Sequence, residues 1–370
     1  MRIALIVGLF PPKWLGGTEI AAYNIAKYLA KEGNEVYVIT LSDEVFPKRE
    51  KLDNFFIQRV NLKKIRFIGP IFQWVCMFFE IKEIDPDIIH IQDISAAIPG
   101  LLSKIFLKKP YVIWGQGSDV YFPARFTKFI SKTVLHNSST VIALNENMKR
   151  EMNRICKKDD IIILPNGIEL ENFKDIYPRE QQNIIKKTII FVGGLKPIKG
   201  IDYLIKAMKI ITEKSPDTNL LIVGDGTERK KLETLVRELN LQNSISFAGK
   251  VTNEQIPKYM AQADVFVLPS LSEGFGIVVV EAMASGLPIV TTNVRGLPEL
   301  VKNGENGFIA KPKDPKDLAE KIMLILENKD LRETIAKTNI IKAREYTWDH
   351  IVDELITVYN SILQKSQISF

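Results

Sequence analysis

Cysteine and histidine are scarce in this chain. Its 370 residues include two cysteines, Cys76 and Cys156, and three histidines, His90, His136 and His350. Two cysteines exclude a disulfide framework and a four-cysteine zinc site. Three histidines far apart in sequence give no histidine-rich metal site. Long hydrophobic runs are also missing. The most apolar stretch, 67–79, is interrupted by Pro70 and is too short to span a bilayer. The opening MRIALIVGLFPP carries one basic residue and a short apolar run, so it reads as a buried first strand rather than a signal peptide. A cytoplasmic location follows as the expectation. Charge of one sign is in mild excess only: 50 Lys+Arg against 44 Asp+Glu, net +6. That permits an acidic partner and does not call for nucleic acid.

What is present is an ordinary globular composition, 46% hydrophobic and 25% charged, in a chain long enough for two domains. Short apolar runs alternate with helix-like segments. The first series lies at 2–7, 35–40, 87–91, 110–114 and 140–144. A polar stretch around 170–187 interrupts it. A second series follows at 188–192, 219–223, 245–247, 265–268, 288–291 and 307–310. Continuous β-branched runs separated by helices predict parallel sheets covered on both faces. The restart predicts two doubly wound α/β domains: 1–170, and 188–347 after a linker at 171–187. A final helix begins near Trp348. Ligands of such sheets sit beyond the carboxyl ends of the strands, so two facing domains would enclose a cleft lined by loops.

The segment 264–288, DVFVLPSLSEGFGIVVVEAMASGLP, is the most informative. A strand ends near Leu268 and a helix is expected to start near Phe275. The small residues Gly274 and Gly276 leave the backbone N–H groups of Gly276, Ile277 and Val278 accessible, which makes an anion site at a helix N-terminus. Glu273 precedes that helix, and Glu281 lies eight residues on. In a continuous helix that spacing sets them about 80° apart, on one side. The Glu273 carboxylate suits neutral hydroxyl partners better than a phosphate. Taken alone, Glu273 also reads as a capping carboxylate and Glu281 as a structural, partly buried one.

The segment is not alone. EGFGIVVVEAMASG resembles the signature of glycosyltransferase family 4, the retaining enzymes with the two-domain GT-B fold. The resemblance runs almost end to end. GLFPPKWLGGTEIAAYNIAKYLAKEGNEV is similar to the family's first glycine-rich loop and helix. QGSD at 116–119, LPNGIELENF at 164–173, FVGGLKPIKGIDYLIKAM at 191–208, VGDGTERKKLE, SFAGKV and RGLPELVKNGENGF follow in family order.

That resemblance implies a fold, a reaction and a set of residues. A sugar would move from a nucleoside diphosphate-sugar, UDP- or GDP-linked, to a hydroxyl of a carbohydrate or lipid-linked acceptor. The anomeric configuration would be retained, with no metal or other cofactor. Glu281 would bind the ribose and Glu273 the transferred sugar. The backbone of Gly274, Phe275, Gly276, Ile277 and Val278 would hold the diphosphate. Lys199 would neutralise the leaving diphosphate, where a fixed cation lowers the barrier. Gly193 and Gly194 belong to the second domain's phosphate loop, and Gly249, Lys250 and Val251 would meet the base. Gly16 and Gly17 would let the backbone approach the substrate. Gln116 and Asp119 complete the expected catalytic set with Glu273 and Lys199. The last helix, 348–370, would return to the first domain.

Two residues depart from the family pattern. Gln116 stands where a histidine is common; it can hold a hydroxyl but cannot titrate. Gly194 stands where an arginine is usual, which removes one diphosphate contact. Lys196 or Arg295 could restore that charge. Rival readings are a sugar-nucleotide epimerase, a sugar phosphorylase and a non-catalytic partner subunit.

Other patterns are read as structural. Asp85–Pro86–Asp87 is a turn before a strand rather than a metal motif. Gly224–Asp225–Gly226 lacks the third glycine of a dinucleotide fingerprint. His90 and His136 are expected to be structural. The apolar stretch 65–84 has two readings. It is domain core, or it is an exposed face that, with basic residues from Arg59 to Arg66, meets an anionic membrane through residues 59–79.

Overall fold

The computed structural model describes residues 1–12, 16–42, 45–60, 68–121, 127–158, 160–173 and 187–368. Much of the expected linker, and Lys63, Lys64 and Arg66, lie outside the described residues. The chain divides into two compact units. One comprises Met1–Gly167 with Trp348–Phe370, and the other Ile168–Thr347. Residues 168–170, placed with the first domain from sequence, therefore count with the second.

The first unit contains an eight-stranded sheet. Its strands are β1 (Arg2–Ile6), β2 (Glu35–Leu41), β3 (Arg49–Leu52), β4 (Phe55–Val60), β5 (Ile88–Ile91), β6 (Tyr111–Trp114), β7 (Thr140–Ala143) and β8 (Ile162–Ile163). Their order is β3-β4-β2-β1-β5-β6-β7-β8, parallel except for β3 on the edge. Strands β5, β6 and β7 are buried at every residue, as a sheet covered on both faces requires. The sequence pattern does not reveal the β3–β4 hairpin. Its edge strand, REKL, is polar and mostly exposed, so it carries no apolar signal.

The second unit contains a parallel six-stranded sheet of β9 (Lys187–Val192), β10 (Thr218–Val223), β11 (Ile245–Gly249), β12 (Val265–Leu268), β13 (Ile289–Thr292) and β14 (Gly307–Ala310). The order is β11-β10-β9-β12-β13-β14. Chain order reverses between β9 and β12, so the loops after those two strands diverge to opposite faces and leave a crevice. In the first unit the corresponding reversal lies between β1 and β5.

The last helix, Trp348–Ile368, belongs to the first unit. Trp348, Ile351, Val352, Leu355 and Tyr359 are buried along it, a helical period facing the sheet. Tyr359 Oη lies 2.5 Å from His90 Nδ1, and His90 Nε2 lies 2.8 Å from Gln92 Oε1. The amide oxygen can only accept, so the ring is protonated at Nε2 and accepts the Tyr359 hydroxyl at Nδ1. Burial pushes the His90 pKa down to about 4, which keeps the ring neutral. His90 thus fastens the last helix to β5. The chain leaves and re-enters the first unit at neighbouring points. A Cβ on Gly167 would lie 2.9 Å from the Trp348 nitrogen, and Ile168 donates its N–H to the Tyr346 carbonyl at 2.7 Å.

Candidate active site

In the second unit the reversal brings two loops together. The loop after β9 carries Gly193, Gly194, Lys196 and Lys199. The loop after β12 carries Glu273 and Gly274 and leads into the helix Ile277–Ala284. Lys199 Nζ lies 2.6 Å from Glu273 Oε2, and both side chains are largely shielded from water. Ser270, fully buried, donates its hydroxyl to the same carboxylate oxygen at 3.2 Å. These groups are 74 residues apart in sequence and meet because β9 and β12 are neighbours. Gly200 makes the approach possible: its φ is +62°, and a Cβ there would lie 2.3 Å from the Pro269 carbonyl oxygen.

The helix starts at Ile277, two residues later than expected, so Glu273 lies in the preceding turn and not on a helix shared with Glu281. No single helix therefore sets these two carboxylates on one side. Glu281 is half-buried in the apolar helix and has no hydrogen-bond or ionic partner among the described residues. Burial pushes its carboxyl up to about 7. The first N–H groups of the helix, at Ile277 and Val278, have no carbonyl one turn back within it. Phe275 is buried, its ring 6.0 Å from that of Tyr346. Arg295, in the loop after β13, holds a positive φ of 46° and donates Nε–H to Ser272 Oγ at 2.8 Å. It therefore lies against the Glu273 loop. Lys196 is exposed, and a Cβ on Gly194 would meet nothing nearer than 4.0 Å, so the missing side chain would have room. Gly249 ends β11, two strands away from β9, and Lys250, which is exposed, and Val251 follow it.

In the first unit, Gly16 and Gly17 are exposed at the start of the helix Gly17–Lys31, with open space in front of Gly17. Gln116 and Asp119 follow β6. Asp119 accepts the N–H of Gly117 at 2.8 Å, of Gln116 at 3.1 Å and of Ile94 at 3.2 Å. Burial and the charge of Asp93 push its carboxyl up to about 7, against those three donors. Its job in this unit is to hold the main chain beneath Gln116. Gln116 Oε1 accepts Nδ2–H of Asn166 at 3.2 Å.

Known proteins bear on this geometry. The model of the glycosyl transferases group 1 matches residues 174–341, and that of glycosyltransferase family 4 matches residues 15–172. An uncharacterised glycosyltransferase of Methanocaldococcus jannaschii is 31% identical, over 98% of this chain and 99% of its own. The chain belongs to glycosyltransferase family 4. Among other relatives, the N-acetyl-alpha-D-glucosaminyl L-malate synthase of Bacillus anthracis is 25% identical over 98% of both chains. The fold is GT-B. Sucrose-phosphate synthase from Thermosynechococcus elongatus superposes with a TM-score of 0.87 at 24% identity, covering 98% of this chain and 99% of that one. The Anabaena protein HepE, in complex with UDP and glucose, gives 0.82 at 23% identity, covering 98% and 100%.

Against this family background, three residues at the sites were not singled out from sequence: Ser270, Ser272 and Asn166. The serines show no signal by themselves; they matter because a loop folds them against Glu273 and Arg295. Asn166 stands within LPNG, in the loop after β8. Asp85 pairs with Lys109 at 2.7 Å and Asp87 accepts the Arg2 N–H at 2.7 Å, so that pair is a turn. Gly224 packs on the loop after β9: a Cβ there would lie 2.0 Å from the Gly193 carbonyl oxygen. Arg59 corrects one expectation. Its side chain is 4% exposed and pairs with Glu50 at 2.6 Å, so it is not available to a membrane.

Proposed function

We propose that this family 4 enzyme transfers a sugar from a nucleoside diphosphate-sugar to an acceptor hydroxyl with retention and without a metal. The second unit takes the donor and the first the acceptor. The carrying observation is the Lys199–Glu273 pair, held between the β9 and β12 loops beside the start of the helix Ile277–Ala284. A cation, a carboxylate and free backbone N–H groups then serve three parts of one ligand. The N–H groups of 276–278 and Lys199 take the diphosphate, Glu273 takes hydroxyls of the sugar, and Glu281 takes the ribose.

Charge decides the chemistry. The bond from the anomeric carbon to the phosphate oxygen breaks, and that oxygen gains negative charge. Lys199 stabilises it. The acceptor oxygen bonds to the anomeric carbon on the same face, and its proton passes to the departing phosphate oxygen. Arg295, tied to Ser272, supplies the second cation that Gly194 lacks. Asp119 acts through the main chain of Gln116. The Anabaena HepE structures contain UDP and UDP-glucose, so UDP-sugars are the first donors to try.

Titration calorimetry with UDP, GDP, ADP and their sugar conjugates, without added metal, tests the reading. One nucleotide should bind, and Glu281→Ala should abolish binding. Lys199→Ala should lower turnover by about a hundredfold or more with a smaller effect on nucleotide affinity. Failure of every nucleotide to bind would favour a non-catalytic subunit.

A second proposal concerns the membrane. On the helix Ile68–Ile84, Ile71, Val75 and Phe79 are 56%, 41% and 58% exposed. Spaced by four, they form one stripe. Phe78 packs edge-on to Phe106 of the helix Ile98–Leu107 at 6.0 Å, and Phe106 and Ile105 extend the exposed apolar surface. Among the described residues no helix is long and apolar enough to cross a membrane. We propose that this stripe rests on an anionic bilayer surface. Flotation with phosphatidylglycerol vesicles should carry the protein upward, and Val75→Asp with Phe79→Asp should abolish it. No flotation of the unaltered protein would overturn the idea.

A further inference from the structure

The turn that leads into the helix Ile277–Ala284 is anchored side chain by side chain. Ser272 accepts Nε–H of Arg295 at 2.8 Å, and Glu273 is held by Lys199 at 2.6 Å and by Ser270 at 3.2 Å. Gly274 and Gly276 have no side chain to hold. Gly276 has a φ of +92°, in the region that favours glycine, and a Cβ on it would lie 2.9 Å from Leu297 Cδ2. Next to glycines, the direction of each N–H depends on backbone torsions that little restrains. Phe275 is the one side chain within 274–276, and it is 6% exposed. Its ring lies 6.0 Å from that of Tyr346, tilted by 45°. Tyr346 is itself fixed. It ends the short helix Arg344–Tyr346, it is half-buried, and its carbonyl accepts the Ile168 N–H at 2.7 Å. Both rings belong to the second unit.

We propose that Tyr346 is a positioning residue for the diphosphate of the donor: by holding the Phe275 ring, it aims the backbone N–H groups of Gly276, Ile277 and Val278. The inference rests on the glycosyl-transfer reading above and goes beyond it, because Tyr346 acts through Phe275 and not on the ligand. A phosphate oxygen held by main chain needs several N–H groups converging on one point, and a hydrogen bond weakens steeply as its angle closes. A turn free to rotate at two glycines would have to be ordered by the ligand, and that ordering is taken out of the binding free energy. A ring held from outside orders the turn in advance. Aromatic pairs prefer defined orientations, so Tyr346 sets the angle of the Phe275 ring as well as its depth. A leucine at 346 would fill space but offer no flat face to set that angle. Lys199 does not duplicate this role. It holds Glu273, and the torsions of Gly274 uncouple Glu273 from Gly276.

The test compares each nucleotide with its nucleoside on the full chain. UDP and GDP are titrated by calorimetry, uridine and guanosine by nuclear magnetic resonance. For the nucleotide that binds, Tyr346→Ala should weaken affinity about tenfold and leave the affinity of its nucleoside unchanged. The loss then falls on the phosphates, which a general loosening of the unit would not single out. Tyr346→Phe keeps the ring and should restore the affinity. Tyr346→Leu keeps apolar bulk. It should melt close to the unaltered protein yet bind the nucleotide as weakly as the alanine variant, and it carries the test if the alanine variant is unstable. Phe275→Leu should cause the same loss, and the double variant with Tyr346→Ala should lose no more than either single one. Unchanged nucleotide affinity in Tyr346→Ala, an equal loss for nucleotide and nucleoside, or losses that add in the double variant would overturn the proposal while the glycosyl-transfer reading stands. Absence of binding by every nucleotide would instead remove that reading and this inference with it.

Discussion

Glu281 is a carboxylic acid in an apolar helix with no partner among the described residues. In the folded chain it keeps its proton up to about pH 7, against 4.5 as its ordinary value. The folded state therefore binds more protons than the unfolded one between those two values. Stability contributed at this site falls as pH rises through that window, and the loss is complete above it. Glu281→Gln should raise stability at pH 8 by about 1–3 kcal/mol and leave it unchanged at pH 4, as measured by urea denaturation at both values. The same substitution should weaken nucleotide binding. A side chain that costs stability and has no structural partner is what a ligand site requires. Lys199 and Glu273 differ: each already has the other, so neither is stranded when the site is empty. Residues of this kind are only partly legible in sequence. Glu273, Glu281 and Lys199 stood out through their motifs. That Lys199 touches Glu273 could not be read, because the contact depends on which strands are neighbours.

At the scale of elements, the periodic and buried parts were the readable ones. Strands β5, β6, β7, β12 and β13 are short apolar runs, and their signal is their burial. Strand β3 was missed because it is polar. The helix starts at Ile277 and not near Phe275; the apolar character of Phe275 continues the pattern although its ring turns to Tyr346. The loops after β9 and β10 interlock through glycines. A Cβ on Gly224 would press on the Gly193 carbonyl, and one on Gly226 would lie 2.4 Å from the Leu195 carbonyl oxygen. Both contacts are with backbone, which cannot swing aside. Gly224→Ala should therefore destabilise the second unit by about 2–4 kcal/mol and distort the loop after β9. A thermal melt with and without nucleotide checks this: the melting temperature should drop and the shift on nucleotide addition should shrink.

At the scale of the whole molecule, sequence and contact divide differently. The last helix is farthest along the chain from β1, yet Trp348, Ile351, Leu355 and Tyr359 complete the core of the first unit, and Tyr359 holds His90. Removing residues 348–370 should unfold the first unit while the second still melts cooperatively. Calorimetric scanning would show one transition lost and one retained, and an intact pair of transitions would contradict this.

The neighbouring points where the chain leaves and re-enters the first unit carry a consequence for engineering and for descent. Residues 168–347 form an insert whose two ends are bonded side by side, Ile168 to Tyr346. An insert with adjacent ends behaves as a cassette: it can be lifted out and the flanks rejoined by a short bridge from Gly167 to Trp348. The same two junctions are where a cassette from a relative could be spliced in, so one first-unit framework could be fitted with different second units.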